Sequence, residues 1–191
     1  MIIAVKDTDK VIVCYTNTDV EEMLAIEDYV DEENIPIKFN DYGFLVGCAR
    51  MSNSSNVVLY NDELYNQDFT RSNINRKLIP NLIEKLKNNK VKIDEDNYWG
   101  NSIVICNNDK IYDINTVFEF YELDNFISHA NGDYNDIIKG ILVPTEGEDV
   151  ESRILKAINF LCEKTKKDLY PLVITDTLSK KFKRIYSKGE K

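Results

Sequence analysis

Two apolar runs at the head of the chain constrain the fold most. Ile2-Ile3-Ala4-Val5-Lys6 and Val11-Ile12-Val13-Cys14-Tyr15 are rich in β-branched residues, and Asp7-Thr8-Asp9 between them is a polar turn of hairpin length. They read as an antiparallel strand pair whose first strand starts directly after Met1. A fold that opens this way tends to put its amino terminus to chemical use.

The remaining elements alternate strand pairs with helices, without a break in composition. Val20–Val30 has apolar residues at roughly helical spacing among many acids and reads as a short helix or ordered loop. Ile35–Phe39 and Phe44–Ala49 read as two strands around the turn residues Asn40-Asp41-Tyr42-Gly43. The polar stretch 51–56 leads into an irregular segment through Asp68. Ile74, Leu78, Ile79, Leu82, Ile83 and Leu86 then form a stripe at period 3.6, with Thr70 or Ser72 available as N-cap. Pro80 interrupts this stripe, so the helix either kinks there or begins its regular part there. Ser102–Cys106, Lys110–Ile114 and Val117–Tyr121 read as strands. Asp133 is placed to cap a helix carrying Ile137, Ile138, Ile141 and Leu142. A second helix runs from Asp149 through Val150, Ile154, Ala157, Ile158 and Leu161. Leu172–Thr175 and Phe182–Tyr186 close the chain as strands. This order suits an α+β fold: a four-layer αββα sandwich of two stacked antiparallel sheets with helices outside, formed by residues 1–191 as one domain.

Composition narrows the function. The chain has 191 residues, with 33 acidic against 24 Lys and Arg, for a net charge of −9. That balance opposes nucleic-acid binding, which needs clustered cations to neutralise phosphates. Cys14, Cys48, Cys106 and Cys162 are widely spaced within apolar runs and read as reduced core thiols. No apolar stretch approaches membrane-span length and the start lacks a signal-peptide pattern, so a cytoplasmic protein is expected. With His129 as the lone histidine, neither a multi-histidine metal site nor a second histidine for catalysis exists, and no metal or cofactor is expected. His129 itself reads as a satisfied structural side chain. The acids from Asp19 to Glu33 match no EF-hand loop and read as a solvated face. Ser52-Asn53-Ser54-Ser55 lacks the surroundings of a nucleophilic serine and reads as a polar loop or helix cap. Lys180, Lys181, Lys183, Arg184 and Lys188, alternating with Phe182 and Tyr186, read as a strand edge protected by lysines.

Several blocks, in order, carry a resemblance covering nearly the whole chain. Phe39-Asn40-Asp41 with Leu45-Val46-Gly47-Cys48-Ala49, Trp99-Gly100 with Ile103–Cys106 and Lys110–Ile114, and the segment from Ser128 ending in Lys139-Gly140-Ile141-Leu142 resemble the N-terminal-nucleophile hydrolases, specifically proteasome β-subunits and their bacterial relatives. The resemblance implies that residue 1 should be the nucleophile, an amino-terminal Thr whose own α-amine serves as base. Here that position is Met1. The aspartate expected after the second strand falls at or beside Thr16, the lysine of the third strand at Asn34 or Ile35 with Lys38 the nearest lysine, the oxyanion-hole glycine at Arg50, and the serine of the Gly-Ser-Gly segment near Asp133. Because Ile2 is large and β-branched, removal of Met1 is not expected. The resemblance therefore implies the scaffold without the threonine mechanism. Its expectations are a relic cleft around Met1, Thr16, Asn34, Arg50 and Asp133, no catalytic residue, and a role as an interaction or self-assembling subunit, most simply a homo-oligomer. Two alternatives stand beside it: an amide hydrolase with a displaced nucleophile or a processed terminus, and a small-ligand module using the cleft.

Overall fold

A computed structural model describes residues 1–16, 35–50, 52–130 and 132–189. The Val20–Val30 segment, the acidic series and Asn34 lie outside the described residues. Two five-stranded sheets carry the fold, each antiparallel throughout. The first contains β1 (Ile2–Lys6), β2 (Val11–Thr16), β8 (Phe126–His129), β9 (Leu172–Asp176) and β10 (Lys183–Ile185), in the order β10-β9-β2-β1-β8. The second contains β3 (Ile37–Phe39), β4 (Leu45–Cys48), β5 (Ile103–Asn107), β6 (Lys110–Ile114) and β7 (Phe120–Leu123), in sequence order. As expected, β1 and β2 are neighbours inside a sheet, paired from Ile2↔Tyr15 to Lys6↔Val11.

Three apolar clusters define the four layers. Ile2, Ala4, Val11, Val13 and Tyr15 of one sheet meet Ile37, Leu45, Val104, Cys106 and Ile111 of the other, filling the space between sheets. Alternation puts Ile3, Val5, Ile12 and Cys14 on the opposite face, against the helices α4 (Tyr134–Leu142) and α5 (Val150–Thr165). Strands covered on both faces must be apolar at every position, which is why β1 and β2 read as unbroken hydrophobic runs. Ile154, Ile158 and Leu161 of α5 are fully buried, worth about 1.5–3 kcal/mol each in water-exclusion terms. The outer face of the second sheet packs Val46, Cys48, Ile103 and Ile105 against α1 (Asn53–Leu59) and the helical run α2 (Arg71–Asn73), a π-turn (Ile74–Leu78) and α3 (Ile79–Asn88).

The local signals that acted through backbone chemistry hold. Of the two cap candidates Thr70 and Ser72, Thr70 is the cap, its Oγ1 accepting from the Asn73 N–H; the helix expected from Asp149 does start there, and the structure adds that Asp149 caps it by accepting from the Ser152 N–H. The two alternatives for Pro80 resolve in favour of a regular helix starting beside it. Ile79 N–H donates to Ile74 C=O across the π-turn, and Pro80 then sits at the first positions of α3, where its missing N–H costs least.

Other expectations need correction. Residues 51–68 are not irregular throughout: they contain α1 and a 3₁₀ turn (Asp62–Tyr65). The seven-residue α1 is too short for a period to emerge, and its buried Val57, Val58 and Leu59 are consecutive. The strand expected at Val117–Tyr121 begins at Phe120, because Phe118 is in the left-handed region at φ 62° within a turn. The sequence reading does not anticipate β8, whose half-buried residues show no clean alternation. Asp133 stands at the N-terminus of α4 in helical conformation and makes no side-chain cap, contrary to expectation. β10 is an edge strand, as the lysine stripe implied, with Lys183 paired to Glu151 at 2.8 Å.

Candidate functional site

The antiparallel registers bring five strand ends to one end of the sandwich. β1 begins there, β4 leads out through Ala49 and Arg50, β5 is entered through Asn101 and Ser102, β6 leaves toward Thr116, and β8 finishes at His129, which is in register with Ile2. Between them lies a cavity of about 120 Å³, lined by Met1, Arg50, Asn101, Ser102, Thr116 and His129 among others.

Met1 is 3% exposed, and its α-ammonium donates to the Thr16 carbonyl at 2.7 Å. The Thr16 N–H returns a bond to the Met1 carbonyl at 3.0 Å, so the sheet ladder continues to the first residue. Thr16 is buried, and its hydroxyl donates to the Leu169 carbonyl, which turns it away from nucleophilic use. Arg50 is held by its backbone. Its N–H donates to Asn101 Oδ1 at 3.1 Å, while Asn101 Nδ2 donates to the Arg50 carbonyl at 3.1 Å. Asn101 is itself 2% exposed and also accepts the Ser102 N–H at 2.9 Å. Ser52, Ser54 and Ser55, which open α1, close this network; the Ser52 N–H donates to Ser55 Oγ at 3.1 Å. The serine cluster therefore acts as a helix opening that locks the Arg50 loop, consistent with the cap reading.

His129 Nε2 meets Asp113 Oδ1 at 2.7 Å, linking the two sheets through a pair with side-chain exposures of 18% and 6%. Asp113 is thereby satisfied without lining the cavity, and Nδ1 is the remaining imidazole nitrogen. His129 thus has a hydrogen-bond partner, as the sequence reading expected, and it stands on the cavity wall. The signal lay in β8, whose register with β1 decides where residue 129 falls.

Of the sequence-derived cleft residues, Met1 and Arg50 meet at the cavity, and Thr16 supports Met1 from beneath. Asp133 is not among the lining residues, and Asn34 lies outside the described residues. Lys38, the nearest lysine to the family position, pairs with Asp62 at 3.7 Å and stands over the Tyr60 ring, elsewhere on the molecule. Sequence reasoning missed Asn101, Ser102 and Thr116 as cavity residues; they stand at strand ends and belong to no motif. The cysteines are free thiols, and burial pushes Cys14 and Cys48 up to about 12 and Cys106 higher still, so none of these three is primed as a nucleophile. Among the described residues no group of His, Cys, Asp and Glu has the clustering to hold a metal ion, and no helix is long and apolar enough to cross a membrane.

The sequence matches no protein-family model and no curated protein. Solved structures do match. BPH from Thiobacillus denitrificans superposes with a TM-score of 0.68 at 13% identity over 92% of this chain and 97% of BPH, and its complex with epoxomicin does so at 0.67. HslV from Trypanosoma brucei matches at 0.60 and 14% identity, over 92% of this chain and 97% of HslV. Anbu, an ancestral beta-subunit from Yersinia bercovieri, matches at 0.61 and 11% identity, over 97% of this chain and 86% of Anbu. The chain thus has, over most of its length, the fold of proteasome β-subunit-like N-terminal-nucleophile hydrolases.

Proposed function

We propose that this chain is a non-catalytic subunit on the proteasome β-subunit scaffold, acting through assembly with copies of itself or another protein. One observation carries the reading: the head of β1 presents a thioether where the threonine mechanism requires a hydroxyl beside a free amine. The amine is also engaged, donating to the Thr16 carbonyl at 2.7 Å from a buried position. Arg50 brings a long side chain to the side of the cleft where the resemblance implies a glycine N–H for the oxyanion. Each departure removes a different requirement, so correcting one does not restore the others.

The assembling half of the proposal rests on the scaffold. Anbu is described as a beta-subunit, and this chain keeps the outer helices, with Val143 beside α4 and Phe160 on α5 58% and 37% exposed. Sedimentation velocity at tens of micromolar, a range that captures modest affinities, is expected to give a dimer or larger species. A strict monomer there would overturn self-assembly. Intact-mass analysis after incubation with epoxomicin, the compound bound in the BPH complex, is expected to show no adduct. A covalent adduct at the terminus would overturn the non-catalytic reading and favour a working hydrolase.

A further inference from the structure

We infer that the outer face of α2 and α3 docks onto the α4 face of a second copy, so that copies associate head to tail through opposite helical layers. This rests on the assembly reading and names its interface.

Segregation of charge is the first reason. Residues 71–92, which form α2, the π-turn, α3 and the start of the next loop, carry seven cations and one acid, Glu84, in a chain of net charge −9. Ile74, Leu78, Leu82 and Leu86 face the second sheet, which turns Arg76 and Lys87 outward. Arg71, Arg76, Lys77, Lys87, Lys90 and Lys92 are exposed and make no ion pair among the described residues, while Lys85 is taken by Glu63 at 3.5 Å. Asp94, Glu95 and Asp96 follow in the loop, past Lys92. Residues 133–151, over the first sheet, carry six acids and one cation, Lys139. Glu148 and Glu151 pair with Lys156 and Lys183, and Asp149 caps α5. Asp133, Asp136 and Glu146 are exposed and make no ion pair among the described residues. Faces of opposite sign on one chain steer copies together and fix which surfaces meet.

Gly140 is the second. It lies inside α4 with ordinary helical backbone, exposed, and a Cβ built there would meet nothing within 4 Å. Glycine in a helix interior destabilises relative to alanine, and no packing within the chain requires it here. Asp133, Asp136 and Val143 share its face at helical spacing, and Val143 is 58% exposed. Acids and an exposed isopropyl group therefore flank a bare stretch of backbone that a second helix can approach closely. A polyanion would fit the basic face alone and gives Gly140 no role.

Topology fixes the mode of association. The two faces cover the outer sides of different sheets, so one copy cannot offer both to the same neighbour. The contact is heterologous and continues past the dimer, into a closed ring or an open chain.

The test is sedimentation velocity of the full chain at tens of micromolar in about 50 and about 500 mM NaCl, a span over which exposed charges become strongly screened. Species larger than a dimer are expected at low salt, with association about ten-fold or more weaker at high salt. The basic-face variant Arg76→Glu/Lys87→Glu and the acidic-face variant Asp136→Lys/Glu146→Lys should each be monomeric at low salt. Their equimolar mixture should reassociate, because the reversed α3 of one fits the reversed α4 of the other. Gly140→Gln, which adds a good helix former to an open surface, should raise the urea midpoint in high salt yet weaken association about ten-fold, so the interface stays testable if a reversal misfolds. Assembly that ignores salt and both reversals, a mixture that stays monomeric, or an assembly closed at the dimer would overturn this interface and leave the subunit reading standing. Dissociation of the basic-face variant alone would assign that face to another acidic surface and overturn its pairing with α4. A wild-type chain that is strictly monomeric at low salt would overturn the interface together with self-assembly.

Discussion

A close approach between the two sheets offers the sharpest test of the packing argument. Gly47 on β4 faces Ile2 on β1, and a Cβ built at residue 47 would lie well inside 3.0 Å of Ile2 Cδ1, nearer than real Cβ atoms come to any neighbour. The other nearest atoms, Ile37 Cγ1 and the Pro36 carbonyl oxygen, stand at an ordinary 3.6 Å, so the conflict is with one methyl group. Ile2 is 0% exposed in the inter-sheet cluster, so that methyl has no solvent to move into. Gly47→Ala should therefore destabilise by about 1–3 kcal/mol, the cost of overpacking a filled core. Ile2→Val alone deletes Cδ1 and should cost about 0.5–1.5 kcal/mol. In the Ile2→Val background the added Cβ finds the vacated space, and the cost of Gly47→Ala should fall below about 1 kcal/mol. Urea denaturation followed by the fluorescence of Trp99, buried and stacked on Phe118, reads all four proteins at one protein concentration. With a slope near about 2 kcal/mol/M, the Gly47→Ala midpoint should drop by about 0.5–1.5 M and recover in the double variant relative to Ile2→Val. Equal penalties in both backgrounds, or no penalty in either, would refute the claim that the Ile2 Cδ1 methyl is what excludes a Cβ at residue 47.

Two further outcomes follow from groups already described. Cys14 and Cys48, pushed by burial from an ordinary 9.0 to about 12, stay protonated in the folded chain while the unfolded chain ionises; stability they support below pH 9 should be lost as pH rises from about 9 toward 12. Ellman's reagent at pH 8 should accordingly modify Cys162, the half-buried thiol, well before the other three, and rapid reaction of all four would contradict the burial of β2, β4 and β5. At the start of α5, the Ser152 backbone N–H holds the Asp149 carboxyl below its usual range, so the cap is in place above the ordinary 3.8 and is lost as pH falls through the lowered value. Asp149→Ala should cost about 1 kcal/mol in urea titration at pH 7 and Asp149→Asn far less, and equal losses would point away from the hydrogen bond.

What the chain determined on its own was whatever depends on neighbours in sequence. The β-branched runs at 2–6 and 11–15, the stripe from Ile74 to Leu86, the cap at Thr70, the helix start at Asp149 and the regular helix beside Pro80 all became the elements their local chemistry implied. Period and backbone hydrogen bonding act over a few residues, so they survive in a linear reading. The order of blocks pointed to the scaffold for the same reason, and two of the residues it singled out, Met1 and Arg50, do line one cavity. The tertiary structure decided the rest. α1 exists because Val57, Val58 and Leu59 find the outer face of the second sheet, and β8 because β1 offers an edge to pair with. His129 reaches the cavity wall through the register of β8 on β1, and Asp113 reaches His129 by crossing between sheets. Ser102 and Thr116 lie at the same end only because β5 and β6 are antiparallel. Asp133 shows the converse: a residue with the right type beside a helix start was left outside the cavity because the path of the chain from β8 into α4 did not bring it there. A cavity assembled from five strand ends depends on pairings between residues more than a hundred positions apart, such as Ile2 with His129, and no local pattern encodes them.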